Sequence, residues 1–377
     1  MPSADDSTLR DWLALSFITG IGSRIAAELI RKYGSPTACF EASAVSLEAA
    51  GLKPDSVDEL KSGEPRKRAE LHLAEHSRLG GEVLTLADPR YPAQLRETYD
   101  PPIVLYAMGD LDAALAQPSI AIVGSRRCST YGRNVAEKIS RDLAERGITV
   151  VSGLARGIDS AAHRGAIEGK GLTVAVMGTG IDAVYPKENR KLAEQIATHG
   201  ALVTEFPLAT PPVSQNFPFR NRVISGLTLG VMVVEGAERS GSLITARLAM
   251  EQGREVFAVP GNITSSKSFG PNYLIKDGAK LVQSWLDVVE EFPLDLKAQI
   301  ISAERGEGRA QAGRIDRMLS DSERRVLAKL KVDESTHVDQ LIAICGLGLG
   351  ELMKALLSLE MTDQIRQLPG KSFVKRL

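Results

Sequence analysis

Between residues 82 and 293 short apolar runs alternate with amphipathic stretches, and no other feature of the chain limits its fold as strongly. The runs are SIAIVG (119–124), ITVVSG (148–153), LTVAVMG (172–178), ALVTE (201–205), GVMVVEG (230–236) and EVFAVPG (255–261). They are short, rich in Val and Ile, and apolar at both alternating sets of positions, as parallel strands buried between helical layers must be. The segments between them predict helices near 131–146, 158–168, 188–199, 218–228 and 242–252. Such alternation defines an α/β fold, a Rossmann-like doubly wound parallel sheet. Two further segments, EVLTLAD (82–88) and PPIVLYAMG (101–109), read as edge strands feeding it.

A chain of 377 residues exceeds one ordinary domain, and the sequence divides into three folded units. Residues 1–75 read as a helical domain of the helix-hairpin-helix or SAM-like kind. Apolar stripes at Trp12, Leu13, Leu15 and Phe17, and at Ile25, Ala26, Leu29 and Ile30, flank Thr19-Gly20-Ile21-Gly22-Ser23. In such a turn the glycines let backbone N–H groups approach a phosphate, or they simply serve a helical hairpin that touches nothing. A weaker second copy follows around Ala50-Gly51-Leu52. The sheet domain spans 76–293. Residues 294–315 are polar and rich in Gly, Ala and Arg, and read as a linker. Residues 316–377 read as a winged-helix domain, a helix capped by Ser320 or Ser322, a helix-turn-helix and a hairpin around Pro369-Gly370.

Forty-six basic residues face 47 acidic ones, for a formal charge of −1. This argues against a basic nucleic-acid coat or a polybasic membrane binder, so any polyanion site is local. The three cysteines (Cys39, Cys128, Cys345) are far apart and form no C-x-x-C pair. A disulfide scaffold and a structural zinc are therefore not expected, and a reducing cytoplasm is. The acidic, polar start is unlike a signal peptide, and no apolar run reaches the roughly 20 residues that span a bilayer, so no membrane insertion is expected.

Ligands of doubly wound sheets sit at the carboxyl ends of the strands. Here those ends carry Gly124-Ser125-Arg126-Arg127, Gly153-Leu154-Ala155-Arg156-Gly157, Gly178-Thr179-Gly180, Glu235-Gly236-Ala237-Glu238-Arg239-Ser240-Gly241-Ser242 and Pro260-Gly261-Asn262. Glycines permit close backbone approach, helix starts bind oxyanions, and arginine adds bidentate phosphate contacts. One phosphate needs one such loop, whereas five along one edge indicate an extended polyanion or a large nucleotide. The dinucleotide fingerprint G-x-G-x-x-G is absent after the first strand, and no P-loop motif occurs, so no cofactor is expected.

The segment Asn216-Phe217-Pro218-Phe219-Arg220-Asn221-Arg222 opens a helix with two aromatics and two arginines. Aromatic faces stack on unpaired bases while guanidinium groups hold phosphates, a combination suited to single strands. The alternative is that both Phe pack in the core and both Arg are ion-paired. Asp159 and His163, four apart on one helix, either touch or serve as a helix-start carboxylate and a packed imidazole. His72 and His76 read as solvated side chains of a charged helix.

Taken together, VGSRRCSTYG (123–132), VSGLARGIDSAAHRGAI (151–167), MGTGIDAVYPKENRKL (177–192), FPFRNRVISGL (217–227) and EGAERSGSLITARLAMEQGREVFAVPGNI (235–263) resemble the DprA family, also called Smf, of DNA-processing proteins. The resemblance extends to the domain order and covers nearly the whole chain. It implies a non-enzymatic protein of natural transformation that binds single-stranded DNA, protects incoming strands and helps load RecA recombinase. It also implies a homodimer through the Rossmann-like domain. Carried onto this chain, the DNA site comprises Ser125, Arg126 and Arg127 with Phe219, Arg220, Asn221 and Arg222, supported by Gly153, Arg156, Gly157, Gly241 and Ser242. Nucleotide hydrolases of the lysine-decarboxylase-like type share this sheet and carry P-G-G-x-G-T-x-x-E. The nearest segment here, Gly241-Ser242-Leu243-Ile244-Thr245, has Thr where their catalytic Glu would sit. A nucleotide-binding or nucleotide-hydrolysing enzyme is thus the alternative. The helix over 347–360 carries Lys354 as its single base, so a protein-contact or autoregulatory role is expected of the C-terminal unit ahead of duplex reading.

Overall fold

A computed structural model describes residues 4–311, 319–362 and 364–376. Six helices begin the chain: α1 (Ala4–Ser16), α2 (Ser23–Tyr33), α3 (Pro36–Glu41), α4 (Ala44–Ala49), α5 (Pro54–Lys61) and α6 (Glu64–Arg78). The sheet region then runs β1 (Glu82–Thr85), α7 (Ala93–Arg96), β2 (Val104–Gly109), α8 (Leu111–Leu115), β3 (Ser119–Val123), α9 (Thr130–Ala144), β4 (Thr149–Ser152), α10 (Ile158–Glu168), β5 (Thr173–Val176), α11 (Arg190–Thr198) and β6 (Gly200–Thr204). It continues with α12 (Asn216–Gly226), β7 (Gly230–Val233), α13 (Gly241–Glu251), β8 (Glu255–Ala258), α14 (Phe269–Lys276), β9 (Lys280–Leu281), α15 (Trp285–Val289) and α16 (Leu294–Gln311). The C-terminal unit is α17 (Asp321–Lys329), β10 (Thr336–His337), α18 (Val338–Cys345), α19 (Leu349–Met361), β11 (Ile365–Leu368) and β12 (Ser372–Lys375).

The sheet order is β1-β2-β6-β5-β4-β3-β7-β8-β9. Strands β3 to β9 are parallel, while β2 joins β6 antiparallel and β1 forms the outer edge. From β3 the chain winds one way through β4, β5 and β6, then returns to the other side of β3 with β7. The order therefore reverses between β3 and β7, which is where a doubly wound sheet opens its crevice. Alternation along each strand feeds two layers. Ile120, Ile122 and Val150 pack with α9 and α10, whereas Ala121, Val123 and Val151 pack with α12 and α13.

The N-terminal helices are not a separate body. Trp12, Leu13, Leu15 and Phe17 share one core cluster with Tyr106, Leu154, Ala175, Met177 and Ile196 of the sheet layer. Each of the large apolar side chains among them contributes about 1.5–3 kcal/mol of burial free energy. The first hairpin turn forms with Gly20 at φ +83° and Ile21 buried. The weaker second copy is also a helix–turn–helix, α4 to α5, with Gly51 at φ +93°. In the first turn the Thr19 N–H donates to the Glu59 carboxylate at 2.9 Å, so an internal anion occupies that backbone donor.

Two expectations fail here. His76 is buried, not solvated; its Nε2 lies 2.9 Å from the Glu82 carbonyl, and its ring meets Tyr106 edge-on. His72 packs against Phe17 and Tyr106. The abundant charges of α6 mask a second face that closes over β2. The segment 294–315 was expected as a polar linker, yet α16 occupies Leu294–Gln311 and buries Ile300 against the sheet layer. Residues 312–315 lie outside the described residues.

The C-terminal unit has its own core, built on Val326, Leu341, Leu352, Leu356, Leu359 and Phe373. Ser320, one of the two expected caps, closes a capping box with Glu323 on α17. Strands β11 and β12 pair antiparallel as the wing, with β10 beside β12. The unit docks on α9 and α10: Arg366 pairs with Glu137, Arg376 with Glu168 at 2.9 Å, and Asn134 donates to the Val332 carbonyl at 2.8 Å.

Candidate nucleic-acid interface

A cleft of about 620 Å³ lies at the switch point, between the loop after β3 and the start of α13. The β3 loop contributes Gly124, Ser125, Arg126 and Arg127, and the start of α13 contributes Ser240, Gly241, Ser242 and Thr245. The opposite wall is α12 with Phe217, Arg220, Asn221 and Ile224. These are at i, i+3, i+4 and i+7, one face of a helix.

Helical phase settles which members of the aromatic segment take part. Arg220 is buried at the cleft floor, where its Nη1 donates to the Gly153 carbonyl at 2.6 Å and to that of Val176. Burial pulls its pKa down to about 10, opposed by the nearby Asp159 charge, so it stays cationic at neutral pH. Phe217 lies under both guanidinium groups, with Arg126 at 5.2 Å and Arg220 at 5.8 Å from its ring centre. Tyr185 stands 5.8 Å from the same ring.

Several expected residues are placed elsewhere. Phe219 is 62% exposed and lies outside the cleft lining, because two helical positions turn it 200° away from Phe217. Arg222 is buried and bound to Glu205, with Asp100 3.2 Å away; a guanidinium in the interior must be paired, and this one ties α12 to its neighbours. Arg156 is exposed but paired with Glu188, also outside the lining. Gly153 and Gly157 act from behind. A Cβ at Gly153 would lie 2.5 Å from the Arg220 guanidinium, and one at Gly157, where φ is +77°, would collide with the Ser125 carbonyl.

Arg126 and Arg127, by contrast, are exposed and form no ion pair with a described residue, and Ser125 Oγ accepts from the Arg127 N–H. Gly241 opens α13 toward the cleft; a Cβ there would meet nothing. Ser240 caps this helix through the Ser242 N–H, and no acidic residue occupies its first turn. The start of α9 differs: Glu235 accepts from Ser129 N and Oγ, so that helix end already holds an internal anion. Among the described lining residues three are arginines and Asp159 is the one carboxylate. Burial pushes the Asp159 carboxyl up, while Arg220 and the Ala155 N–H oppose that shift. Asp159 and His163 do not pair, since His163 Nδ1 bonds Thr173 Oγ1 at 2.7 Å. Thr173 donates onward to the Val150 carbonyl, which makes Nδ1 the protonated nitrogen.

Sequence reasoning named Ser125, Arg126, Arg127, Arg220, Asn221, Gly241 and Ser242, all of which line the cleft. It counted Phe217 among the segment's two aromatics but left it out of the site set carried over from the family, and did not place Tyr185 or Asp159 in the lining. The i, i+3, i+4 spacing from Phe217 to Arg220 and Asn221 was the available signal for the first.

The fold and cleft define a class: Rossmann-like proteins with a cationic, aromatic-lined groove at the switch point. Residues 82–293 match the family model described as DNA recombination-mediator protein A, and residues 310–371 match the DprA winged helix domain. Protein Smf of Synechocystis sp. is 33% identical over 97% of this chain and 98% of that one. The DNA processing protein DprA of Bacillus subtilis is 42% identical over 66% of this chain and 81% of its own. The X-ray structure of DprA from Streptococcus pneumoniae superposes with a TM-score of 0.65 at 37% identity, covering 75% of this chain and 96% of that one. A Helicobacter pylori DprA structure, reported for its single-stranded DNA binding mode, gives a TM-score of 0.50 at 28% identity over 60% of this chain and 97% of its own. The chain belongs to the DNA recombination-mediator protein A family, DprA or Smf.

Proposed function

We propose that the switch-point cleft binds single-stranded DNA during natural transformation, without chemistry, and that the bound protein protects the strand and helps load RecA recombinase. The observation that carries this reading is the Phe217 ring under the Arg126 and Arg220 guanidinium groups, beside Tyr185 and the exposed Arg127. Stacking requires an unpaired base, and duplex DNA hides its base faces. Family membership and the single-strand binding reported for the Helicobacter pylori relative support the same ligand.

Binding to oligo-dT is expected to weaken with salt, the slope of log affinity on log salt being about −0.7 per phosphate neutralised. Arg126→Ala is expected to shallow that slope by about 0.7 and to lower affinity roughly tenfold. Equal binding of duplex and oligo-dT, indifferent to this substitution, would falsify the assignment. RecA-dependent ATP hydrolysis on a protein-coated oligonucleotide is expected to rise with the native chain and not with Arg126→Ala.

Absence of catalysis is supported by Thr245, buried at the position where the related hydrolases place their Glu. Incubation with nucleoside monophosphates is expected to release no base above background; turnover would favour the hydrolase reading. The homodimer is assigned to the sheet's open end. Phe269 and Tyr273 stack in the exposed surface of α14, and Leu281 lies half-exposed on β9, which pairs only with β8 among the described strands. Apolar groups beside an open strand edge suit a self-pairing surface. Tyr273→Glu with Leu281→Glu is expected to halve the sedimenting mass, and an unchanged mass removes this surface.

A further inference from the structure

Asp159 lines the cleft and is 6% exposed. A carboxylate is out of place where phosphates are to bind, because like charges brought together across an interface repel strongly. Two internal roles could explain it, and neither fits. It is not the direct counter-ion of Arg220, since Asp159 forms no ion pair with a described residue. Arg220 spends its Nη1 on the Gly153 and Val176 carbonyl groups and its Nε on Asn221 Oδ1. Nor does Asp159 cap α10, whose first N–H groups are taken by the backbone. Ile158 donates to the Ser125 carbonyl at 3.3 Å, Ser160 to that of Ala155 at 3.1 Å, and Ala161 to that of Gly157 at 3.0 Å. What Asp159 does receive is the Ala155 N–H, on Oδ2, at 3.4 Å. That is longer than the usual span of about 2.7–3.2 Å, and the Gly153 amide adds a weaker pull. A carboxylate has about four acceptor sites. Most of them are left without a donor in a place where water is scarce, which is unfavourable unless a ligand supplies one.

The group is also rigidly held. Ile158 is fully buried against the β3 loop, and Ser160 Oγ donates back to the Ala155 carbonyl at 2.6 Å, so the first turn of α10 has little freedom. Phe217, the stacking platform, lies under Arg126 and Arg220, and these are the two cations whose charges act on Asp159. A base laid on that ring turns its edge to the cleft floor. Base edges differ in what they offer a carboxylate. Thymine presents one N–H between two carbonyl oxygens, which repel it. Adenine and cytosine present one amino group beside an acceptor nitrogen. Guanine presents N1–H and the N2 amino group side by side, and a carboxylate accepts both in parallel, as it accepts an arginine fork. We propose that Asp159 is a base-reading residue of this cleft, its carboxylate accepting the N1–H and N2–H of an unpaired guanine, so that the site prefers guanine to thymine. This rests on the single-strand reading of the cleft and goes beyond it, because phosphate contacts and stacking are tolerant of sequence.

The test compares oligo-dT with the same oligonucleotide carrying guanine at every fourth position, titrated against the full chain at pH 8. The guanine-bearing strand is expected to bind about tenfold tighter. Deoxyinosine in place of guanine stacks as a purine but lacks the N2 amino group, and is expected to return the affinity close to that of oligo-dT. Asp159→Asn is expected to move the two strands in opposite directions, tightening oligo-dT by removing a like charge and weakening the guanine strand. Equal affinity of the native chain for both strands, with Arg126→Ala weakening both, would keep the cleft as a strand site and overturn the base reading. Deoxyinosine binding as tightly as guanine would assign the preference to stacking and overturn it too. So would Asp159→Asn tightening both strands alike, which would make the carboxylate a mere repulsive charge. Indifference of both strands to Arg126→Ala would remove the single-strand reading itself, and this inference with it.

Discussion

At the scale of single residues, the cleft is decided by helical phase more than by residue type. Phe217 and Phe219 are chemically identical and two positions apart, yet one lines the cleft and the other faces solvent. Phe217→Ala is therefore expected to cost about 1–3 kcal/mol of single-strand affinity, the usual loss for a stacking aromatic, and Phe219→Ala much less. Titration of both variants with oligo-dT checks this, and equal losses would contradict it. The arginines divide in the same way. Composition groups Arg220 and Arg222 in one candidate binding segment, but charge alone carries no direction. Arg220 faces carbonyl groups at the ends of β4 and β5, and Arg222 faces Glu205 and Asp100. Only the structure shows that acidic partners distant in sequence had already claimed the second. The pairing of Arg156, which was expected in the site, was hidden for the same reason, because Glu188 lies 32 residues away.

Among elements, the agreement is close wherever one periodicity governs. Parallel strands and the helices between them were legible because apolar runs and amphipathic stretches differ so plainly. The helix expected over 158–168 is α10 to the residue. What stayed hidden were elements whose partners are remote: α6, whose charges conceal His76, and α16, whose polar composition conceals Ile300. The strand-end glycines were read as phosphate loops, and some of them serve internal packing instead. Gly153 seats Arg220, and Gly157 lets the next helix begin against the β3 loop. Gly153→Ala forces the new methyl against a guanidinium fixed by two carbonyl groups. Overpacking of this kind is expected to destabilise by about 1–3 kcal/mol and to displace the cation from the cleft floor. Urea unfolding and oligo-dT binding should both report it, and wild-type values in both would show that the floor is pliant.

Across the whole molecule, two buried imidazoles and one half-buried one set how stability responds to mild acid. Burial lowers the pKa of His72, His76 and His163, the last to about 3. In the unfolded chain these groups take up protons near their ordinary value of 6.5, which the folded protein resists. The unfolded state then holds more protons, so stability falls as pH drops below about 6.5 and continues to fall toward the folded values. Each fully unmatched proton is worth about 1.4 kcal/mol per pH unit. Urea midpoints measured between pH 7.5 and 5.5 are expected to decline, and His163→Gln is expected to shallow the decline. A flat profile would mean that the three sites are wetter than their packing indicates. The two terminal units also differ in how they are joined. The helical unit shares its core with the sheet, whereas the winged unit keeps a core of its own and holds on through polar contacts at α9 and α10. For a gene in descent, those junctions are unequal. A stop codon ahead of the winged unit would spare the three other cores, so a lineage can shed or exchange that module in one event. A start codon beyond α6 would strip the covering from Tyr106 and Met177 and leave apolar side chains of the sheet layer in water, so that loss carries a penalty the other does not.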